Sequence, residues 1–582
     1  MILLFAGGAT PFGMKRLLYL LLLFLALTAF RTAERDPFVE DYFQAPVRGG
    51  LLLSGTFGEL RSNHFHAGID VKGGMNVPIL AAADGYVSRI NVSGSGYGNV
   101  LYIDHPRGYT TVYAHLNAFE DEIAAWVEEQ QYVQESFSVD LQPEPGQFPV
   151  RQGQQIALMG TTGSSSGPHL HFEIREKDTQ VPLNPLRFGL QLASSTSLRV
   201  HELKVYEMDE REQVLRAREY SPRYQSGGYV ISGDTIYVQS PTVGVALKAY
   251  DHMNNGRNWN GIYGLDMRVK DELSYRFRMD ALPFAERRYL NAHLDYAEHQ
   301  TERSFYNRCF LLPGNASSIY QQVHKRGLIH LQPGESVPVT MQVYGADDQT
   351  REVRFWLKHR GGDIVQPPED HQYWLEYEQE NIISNYHLFL HFPEGSLYED
   401  VPMRYQQTNE SSYRIFSPIH QIHDPLTPLH EAFTIGIRPT LLPDSLRSKA
   451  FVGRCTQSGR IVNYGGEWKD GMLVSRSHNF GDYGIFVDDT PPTITAERFS
   501  GDMRGWSYLR FRIDDDLPTS GLAADLRFRA TIDDQWVLMV YDAKRDRLTY
   551  SLEGLDKGEH TFRLEVTDAM GNQAVFNRDF VY

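Results

Sequence analysis

Short runs in which apolar and polar residues alternate recur from about residue 51 to the C-terminus, and this pattern constrains the fold more than any other feature. Side chains of a strand point to opposite faces in turn, so alternation with period 2 indicates strands that bury one face. Glycine and proline residues separate the runs as turns, and few stretches show helical spacing. The sequence therefore predicts a mainly β protein.

The 582 residues are too many for a single hydrophobic core, so several domains are expected. The change of pattern after residue 190 and the consecutive prolines in Asp488-Asp-Thr-Pro-Pro492 indicate where domains meet. We predict a small antiparallel β domain (34–192), a β-sandwich module (193–361), a β-rich module (362–487) and an immunoglobulin-like module (488–582). Two or three β-sandwich modules would thus follow the first domain.

The N-terminus has the pattern of an export signal. Met14-Lys15-Arg16 is basic, and the apolar run 17–29 is short for a membrane-spanning helix but typical of a signal peptide. We predict a signal peptide over 1–33, with Met14 as the true start and a cleavage point near Ala29 or Ala33. The alternative is an uncleaved anchor, and only then do we expect contact with a membrane.

Charge and cysteine content exclude or weaken some classes of function. Lys+Arg 56 against Asp+Glu 73 gives a net charge of −17, whereas a nucleic-acid-binding protein shows a basic surface. The same charge argues against simple attraction to an anionic membrane or wall polymer. The two cysteines, Cys309 and Cys455, lie in different predicted modules, so we expect buried thiols, with a disulfide as the alternative in an exported protein.

Two histidine motifs about 100 residues apart indicate a metal site. In His169-Leu-His171, on a predicted strand, the two imidazoles project to the same face. His66-Ala-Gly-Ile-Asp70 adds an imidazole and a carboxylate, and this combination of donors suits zinc. Three protein ligands leave a fourth position for water, whose pKa zinc lowers toward about 7. A further histidine, His115, ends the apolar run 109–115.

The segments His66-x-x-x-Asp70, Val112-Tyr-Ala-His115 and Thr162-Gly-x-Ser-x-Gly-Pro-His-Leu-His-Phe-Glu173 resemble the lysostaphin/LytM-type zinc metallopeptidases, which are peptidoglycan endopeptidases. The resemblance covers about residues 50–190 and implies a small antiparallel β fold of the duplicated-hybrid-motif type. It implies one Zn²⁺ per chain, with His66, Asp70 and His171 as its ligands. It also implies that His115 and His169 are unligated catalytic histidines.

Five further residues are predicted near this site. Glu173 shares the strand face of the His-x-His pair, and either fixes the tautomer of a histidine or is a solvated strand residue. Arg61 and Asn63, together with His64, precede the first ligand, and Asn117 follows His115. These residues either line the substrate groove or belong to polar loops.

A long insertion separates His115 from Gly153. Its residues 121–131 have the pattern of an acidic amphipathic helix, and residues 140–149 that of an extended loop. The insertion either forms one wall of the substrate groove or decorates the surface.

Other polar clusters suggest metal sites more weakly. Asp514-Asp-Asp516 and Asp488-Asp489 are candidate calcium ligands, with solvated turn aspartates as the alternative. His293-x-Asp295-x-x-x-His299 and His420-x-x-His423-Asp424 are also rich in metal-binding residues, but lack the glycine-rich frame of the first site.

The resemblance implies an exported zinc endopeptidase that hydrolyses peptide cross-links of peptidoglycan, with D,D-cross-links as the first expectation. The arrangement of a peptidase followed by β modules is similar to exported lysostaphin-type enzymes of Bacteroidetes-like bacteria, which implies the periplasm or cell envelope of a Gram-negative cell. The β modules would bind the wall or a cell-envelope protein. The alternatives are a secreted protease with a protein substrate, a non-catalytic wall-binding activator of another hydrolase, and an enzyme whose β modules occlude the cleft until release.

Overall fold

The computed structural model describes residues 38–253, 258–362, 364, 370–408 and 415–582, so the predicted signal peptide lies outside the described residues. Strands far outnumber helices, and the prediction of a mainly β chain is confirmed. Within the described ranges, no helix has both the length and the apolar character needed to cross a lipid bilayer.

The N-terminal domain is built on one large antiparallel sheet with a small second sheet beside it. Its strands are β1 (Leu53–Gly55), β2 (Ile69–Lys72), β3 (Pro78–Leu80), β4 (Gly85–Val92), β5 (Val100–His105), β6 (Tyr109–Ala114), β7 (Leu116–Phe119), β8 (Val139–Leu141), β9 (Pro149–Val150), β10 (Gln155–Met159), β11 (His169–Glu176) and β12 (Pro182–Leu183). The large sheet has the order β1-β2-β11-β6-β5-β4-β8, with β12 paired to β11 and β9 to β4. The order of the small sheet is β3-β10-β7.

The predicted insertion contains the helix α1 (Asp121–Gln134). The Glu120 side chain caps its first turn, and Glu135 ends it in a left-handed conformation, so the helix runs three residues beyond the predicted end. Residues 140–149 were expected to form an extended loop, but β8 and β9 at its two ends pair with β4. The reason is apolar burial, because the side chains of Leu141 and Val150 lie in the domain core.

The first β module follows directly and contains two packed sheets. Its strands are β13 (Ser197–Met208), β14 (Val214–Tyr220), β15 (Arg223–Gln225), β16 (Gly228–Val238), β17 (Thr242–Met253), β18 (Asn258–Asn260), β19 (Gly264–Val269), β20 (Glu272–Arg278), β21 (Asn307–Arg308), β22 (Tyr320–Val323), β23 (Ile329–His330), β24 (Ser336–Tyr344) and β25 (Thr350–His359). The central strand orders are β14-β13-β17-β18 and β15-β16-β25-β24-β19-β20-β22, in which β16 and β25 are parallel.

The helical segment between β20 and β21 is interrupted. A 3₁₀ segment (Phe284–Tyr289) leads into the short helix α2 (Leu290–His293), and α3 (Tyr296–Glu302) follows. Leu294 is extended between the two α-helices, and the Asp295 side chain caps α3. The break follows from this cap, which begins a new helix instead of continuing the old one.

A single hydrophobic core runs through the peptidase-like domain and the first β module, from Phe43 to Leu357. The Leu53 amide on β1 lies 3.2 Å from the Met253 sulfur at the end of β17. The Asn258 side chain on β18 donates a 2.6 Å hydrogen bond to the Leu53 carbonyl. The first two predicted units are therefore fixed to each other by buried contacts of both apolar and polar kinds.

Two further β units have cores of their own. The strands of the third unit are β26 (Tyr373–Leu375), β27 (Asn381–Ser384), β28 (Leu388–Phe392), β29 (Val401–Met403), β30 (Tyr405–Thr408), β31 (Ile419–Ile422), β32 (Pro428–Ile437), β33 (Ala450–Cys455), β34 (Ile461–Asn463), β35 (Glu467–Lys469), β36 (Met472–Asn479) and β37 (Gly481–Val487). Two five-stranded sheets, β27-β28-β32-β36-β35 and β30-β31-β37-β33-β34, form this unit together with the pair β26-β29.

The C-terminal module consists of two four-stranded sheets, β38-β39-β43-β42 and β41-β40-β44-β45. Its strands are β38 (Thr493–Arg498), β39 (Tyr508–Asp514), β40 (Arg527–Ile532), β41 (Gln535–Trp536), β42 (Val540–Asp542), β43 (Arg547–Ser551), β44 (Glu559–Thr567) and β45 (Gln573–Val581). The chain changes sheets between residues 536 and 540, so β41 pairs with β40 and β42 with β43. The two sheets enclose a core centred on Phe511 and Phe562.

The two cysteines are not joined by a disulfide. Cys309 is buried in the core of the first module, whereas Cys455 is half-buried at the end of β33. Burial raises the pKa of the Cys309 thiol, which keeps it protonated and unreactive.

Candidate metal centre

The register of β2 and β11 brings the predicted ligands together. These antiparallel neighbours place Asp70 directly opposite His171, so both side chains project to the same face of the sheet. His66 lies just before β2, and its ring meets the other two at 3.0 Å, from Nε2 to Asp70 Oδ1 and to His171 Nδ1. The third separation, from His171 Nδ1 to Asp70 Oδ1, is also 3.0 Å.

This donor set fits a zinc ion. Tetrahedral zinc bonds of about 2.0–2.1 Å separate neighbouring ligand atoms by about 3.3 Å, which is close to the three separations observed here. All three side chains are buried, with His66 and His171 each 5% exposed and Asp70 8% exposed. Two imidazole nitrogens and one carboxylate oxygen leave a fourth position open toward the cleft.

Each of the three side chains is oriented by a second hydrogen bond on its far side. His66 Nδ1 donates to the Thr56 carbonyl at 2.8 Å, which leaves the Nε2 lone pair facing the site. His171 Nε2 donates to Glu173 Oε1 at 2.9 Å, which leaves Nδ1 as the inward-facing atom. Arg61 Nη2 donates to Asp70 Oδ2 at 2.8 Å, so the other carboxylate oxygen is the one that faces the histidines.

Glu173 is the centre of a fully buried polar network behind the site. Its carboxylate accepts hydrogen bonds from Arg175 Nε at 2.6 Å and from the Tyr97 hydroxyl, besides that from His171. Burial raises the pKa of Glu173, but Arg175 and His171 outweigh it and lower the pKa to about 2. Of the two predicted alternatives, the contacts correspond to a residue that orients a histidine, not to a solvated one.

His115 and His169 face each other at the edge of the same site, with ring centroids 4.7 Å apart. His115 Nδ1 donates to the Thr162 carbonyl at 2.9 Å, and His169 Nδ1 donates to the Gly167 carbonyl at 2.9 Å. In each ring Nε2 is thereby left as the unprotonated nitrogen, and His169 Nε2 lies 3.6 Å from Asp70 Oδ1. His115 adopts a left-handed backbone (φ 61°), a conformation that is uncommon outside glycine and that concentrates at functional sites.

The surroundings of His115 and His171 shift the pKa values of these two histidines in opposite directions. Burial, with the His171 ring nearby as a second cause, lowers the pKa of His115 to about 3, so its ring is neutral. Burial also lowers the pKa of His171, but hydrogen bonds to Asp70 and Glu173 outweigh it and raise the pKa to about 9. The buried Asp70 carboxyl nevertheless has a pKa well below its usual range, because His66 and His171 surround it. The low pKa of Asp70 keeps its carboxylate ionised, which is the form that binds a metal ion.

The glycine- and serine-rich loop 160–168 shapes one side of the site. Gly163 has φ 67° and packs on the backbone of the turn before β5, where a Cβ atom would lie 2.3 Å from the Gly96 oxygen and the Gly98 nitrogen. The Thr162 side chain bridges the Asn99 amide and the Leu116 carbonyl. Only glycine at position 163 allows this approach, which carries the Thr162 carbonyl to His115.

The three ligands and both catalytic candidates open into a cavity of about 790 Å³. Asn63 and His64 line this cavity, and Arg61 reaches it beside Asp70. Asn117 does not line this cavity; it lies in a second one, of about 420 Å³, toward the C-terminal module. The helix α1 borders that second cavity and not the first, so the predicted insertion is not a wall of the metal cleft.

The opposite wall of the cleft comes from the first β module, through residues 282–284 and 286–288. The Leu282 amide donates to the Pro182 carbonyl at 3.0 Å, and the Arg175 guanidinium lies 4.7 Å from the centre of the Phe284 ring. The first module thus completes the groove without covering it.

Sequence reasoning missed this wall, and also missed Tyr97 and Arg175. The signal for Arg175 was present, because it continues the period of two that begins with His169, His171 and Glu173. Tyr97 lies in a glycine-rich turn with no periodicity, yet its ring stacks on His171 with centroids 5.2 Å apart.

The other polar clusters do not resemble this centre. His293 contacts Tyr320 and Asn307, while Asp295 contacts Lys204 and Tyr206, so the first histidine cluster does not converge. In the second, the His420 and His423 rings bond Tyr405 and Thr427. Among the described residues, one acidic group does converge: Asp488, Asp515 and Asp568 place carboxylate oxygens within 4.8 Å of one another. Calcium binding there stays a prediction.

Fold and site together define a metallopeptidase-type domain, and comparison with known proteins agrees. Residues 64–140 and 138–185 match peptidase family M23, and residues 372–488 match the Zu5-like domain. The N-terminal domain of this chain is therefore an M23 peptidase domain, as the sequence motifs indicated.

Two curated relatives share this domain. The DD-carboxypeptidase/endopeptidase Mpg of Neisseria meningitidis serogroup B is 34% identical over 131 residues, which are 22% of this chain and 24% of the relative. The murein hydrolase activator NlpD of Escherichia coli is 38% identical over 143 residues, which are 25% of this chain and 30% of the relative. The chain thus spans only 24% and 30% of the length of these two relatives.

Among solved structures, a zinc containing peptidase from Vibrio cholerae is 27% identical, with a TM-score of 0.20, over 26% of this chain and 41% of that chain. The catalytic domain of lysostaphin from Staphylococcus simulans is 22% identical, with a TM-score of 0.18, over 24% of this chain and 88% of that chain.

Proposed function

We propose that this chain is an exported zinc-dependent endopeptidase that hydrolyses peptide cross-links of bacterial peptidoglycan. The observation that carries the proposal is the convergence of His66 Nε2, Asp70 Oδ1 and His171 Nδ1 at mutual distances of 3.0 Å, beside His115 and His169. The predicted signal peptide supports export to the periplasm or cell envelope. The shared M23 domain of a relative named as a DD-carboxypeptidase/endopeptidase supports D,D-cross-links as the bond.

His66, Asp70 and His171 would hold one zinc ion, which supplies Lewis acidity to polarise the scissile carbonyl and to acidify water. The His115 and His169 rings present Nε2 to the same space, where each can accept a proton from water or return one to the leaving amine. The Nδ1 hydrogen bonds to Thr162 and Gly167 hold these rings in that tautomer. The protonated forms would also stabilise negative charge on the tetrahedral carbon's oxygen.

A non-catalytic role is the second candidate, because a relative of the same domain is named a murein hydrolase activator. The convergence of the three metal-ligand candidates with His115 and His169 supports catalysis. An activator that only binds the wall has no need for a buried carboxylate with three imidazoles within 3.6 Å. A secreted protease with a protein substrate is the third candidate, and the β modules would then bind something other than wall or a cell-envelope partner.

The test is metal content and digestion of purified sacculi by the chain from residue 34 onward. Wild type is compared with His171→Ala and with His330→Ala, which removes an exposed histidine of the first module. We expect one zinc per chain and released muropeptides for wild type and His330→Ala, and loss of both for His171→Ala. Full digestion by His171→Ala would refute the proposal. Absence of zinc from wild type would favour the activator, and zinc without digestion would favour a protein substrate.

A further inference from the structure

The C-terminal module contacts the M23 domain, although about 295 residues separate the two in sequence. At the end of α1 the Tyr132 ring meets the edge of Trp536, with centroids 5.3 Å apart, and Glu135 pairs with Arg529 at 2.5 Å. This part of the contact lies on the insertion that sequence analysis had assigned to the groove or to the surface. The insertion instead holds the C-terminal module.

A second contact lies at the turn after β4. The Ala543 amide donates to the Gly94 carbonyl at 3.4 Å, and the Tyr541 ring packs against Gly94. A Cβ atom at position 94 would lie 2.7 Å from the Tyr541 ring, so the close approach depends on glycine there. The backbone of the M23 domain and a side chain of the C-terminal module are therefore closely packed at this turn.

The third contact reaches the loop that carries the site. Lys544 Nζ donates to the Thr161 carbonyl at 2.6 Å and to the Ser165 carbonyl at 2.7 Å. These two carbonyls flank Thr162, whose own carbonyl accepts the His115 hydrogen bond. The Ser165 hydroxyl lies 3.2 Å from His169 Nδ1 and donates to the Gly167 carbonyl that orients the same ring.

The loop is held by hydrogen bonds to the neighbouring turn but gains little from apolar burial. The sequence Gly160-Thr-Thr-Gly-Ser-Ser-Ser-Gly167 has three glycines and no large apolar side chain, so ordering it costs conformational entropy without gaining apolar burial. The two charge-assisted hydrogen bonds from Lys544 offset part of this entropy cost.

We propose that Lys544 is a positioning residue for the hydrolytic site, and that the C-terminal module braces loop 160–168 so that His115 and His169 keep their catalytic orientation. The inference rests on the proposed endopeptidase function for its kinetic consequence. The brace leaves the cleft open, because no described residue of 488–582 lines the cavity of the metal site. The C-terminal module therefore stabilises loop 160–168 and does not block the groove.

The experiment uses the full exported chain and three variants. Lys544→Met removes the ammonium group, Lys544→Arg keeps two donors, and Lys557→Met is the control, since Lys557 is exposed in the same module with no hydrogen-bond partner among the described residues. On a purified cross-linked muropeptide dimer we expect Lys544→Met to lower kcat by about 10-fold, as loss of alignment does, with KM changed by less than about twofold. Zinc content should stay at the wild-type level, and Lys544→Arg should recover most of kcat.

Hydrogen exchange of loop 160–168, followed by mass spectrometry without substrate, separates this inference from the proposed function. We expect faster exchange in Lys544→Met and wild-type exchange in Lys544→Arg and Lys557→Met. Unchanged exchange, unchanged or increased kcat, or loss of zinc in Lys544→Met would each overturn the brace. Wild type that leaves the dimer intact would overturn the endopeptidase, while the exchange data would still decide whether Lys544 orders the loop.

Discussion

Glu173 Oε1 lies 2.9 Å from His171 Nε2, and this hydrogen bond ties the inward-facing His171 to a buried ion pair with Arg175. Outer partners of metal-binding histidines fix the ring and raise its basicity, so their loss weakens metal binding. The bond therefore gives Glu173 a measurable role although it does not face the cleft.

Glu173→Gln should weaken zinc binding by about 10- to 100-fold, because the amide keeps the shape of the side chain but removes its charge. The measurement is competition with a chelator of known affinity. Glu176→Gln, at the exposed end of the same strand, is the control. Equal zinc affinity in the two variants would contradict the role assigned to Glu173.

His115→Ala and His169→Ala should retain zinc and lose hydrolysis. Neither ring belongs to the converging ligand set, but both present Nε2 to it, and general acid–base residues typically contribute about 10²–10⁴-fold in rate. Metal content and muropeptide release are measured on the same preparations. Loss of zinc from either variant would show that the ring is a ligand.

Gly163→Ala should damage the site, whereas Gly167→Ala in the same loop should be tolerated. A Cβ atom at position 163 meets backbone at 2.3 Å in a left-handed conformation, while at position 167 nothing lies within 4 Å. Strain of this kind costs about 1–3 kcal/mol and would move the Thr162 carbonyl away from His115. The comparison is muropeptide release and thermal unfolding of both variants, and equal behaviour would contradict it.

The buried His293 should make folding stability depend on pH. Burial lowers its pKa from 6.5 to about 4, and its ring contacts Tyr320 and Asn307 as a neutral group. The unfolded chain takes up the proton first, so stability is lost as pH falls from the unfolded pKa to the folded one. The loss amounts to about 3 kcal/mol.

His293→Leu tests this dependence. The variant lacks the group that titrates, so its deficit in unfolding free energy relative to wild type should shrink by about 3 kcal/mol as pH falls from about 7.5 to 4. The free energies come from denaturant unfolding at each pH. His324→Leu, which replaces an exposed histidine of the same module, is the control. A deficit that stays constant across this range would contradict the prediction.

The sequence predicted the strand face of the site because strand periodicity is local. His169, His171 and Glu173 lie on one face, as alternation requires, and the same rule extends to Arg175. The sequence did not reveal β2, because its four residues are too few to show an alternating pattern. The pairing of Asp70 with His171 therefore appeared only in the structure.

The parts that sequence reasoning missed depend on contacts between distant segments. Residues 282–288 reach the cleft, and Lys544 reaches loop 160–168, only because two β modules pack against the M23 domain. Packing between domains produces no periodic pattern in the sequence. The left-handed His115 is likewise set by its surroundings, through the Tyr97 carbonyl and the Thr162 carbonyl.

The continuous core from Phe43 to Leu357 limits where genetic recombination can divide the chain. A gene rearrangement that separated the peptidase segment near residue 192 would expose core residues such as Leu53 and Met253 to water and so destabilise both parts. Recombination can therefore transmit residues 38–360 only as one block. The C-terminal module has its own core, so a replacement would have to preserve the contacts on its surface, including a basic side chain that reaches loop 160–168.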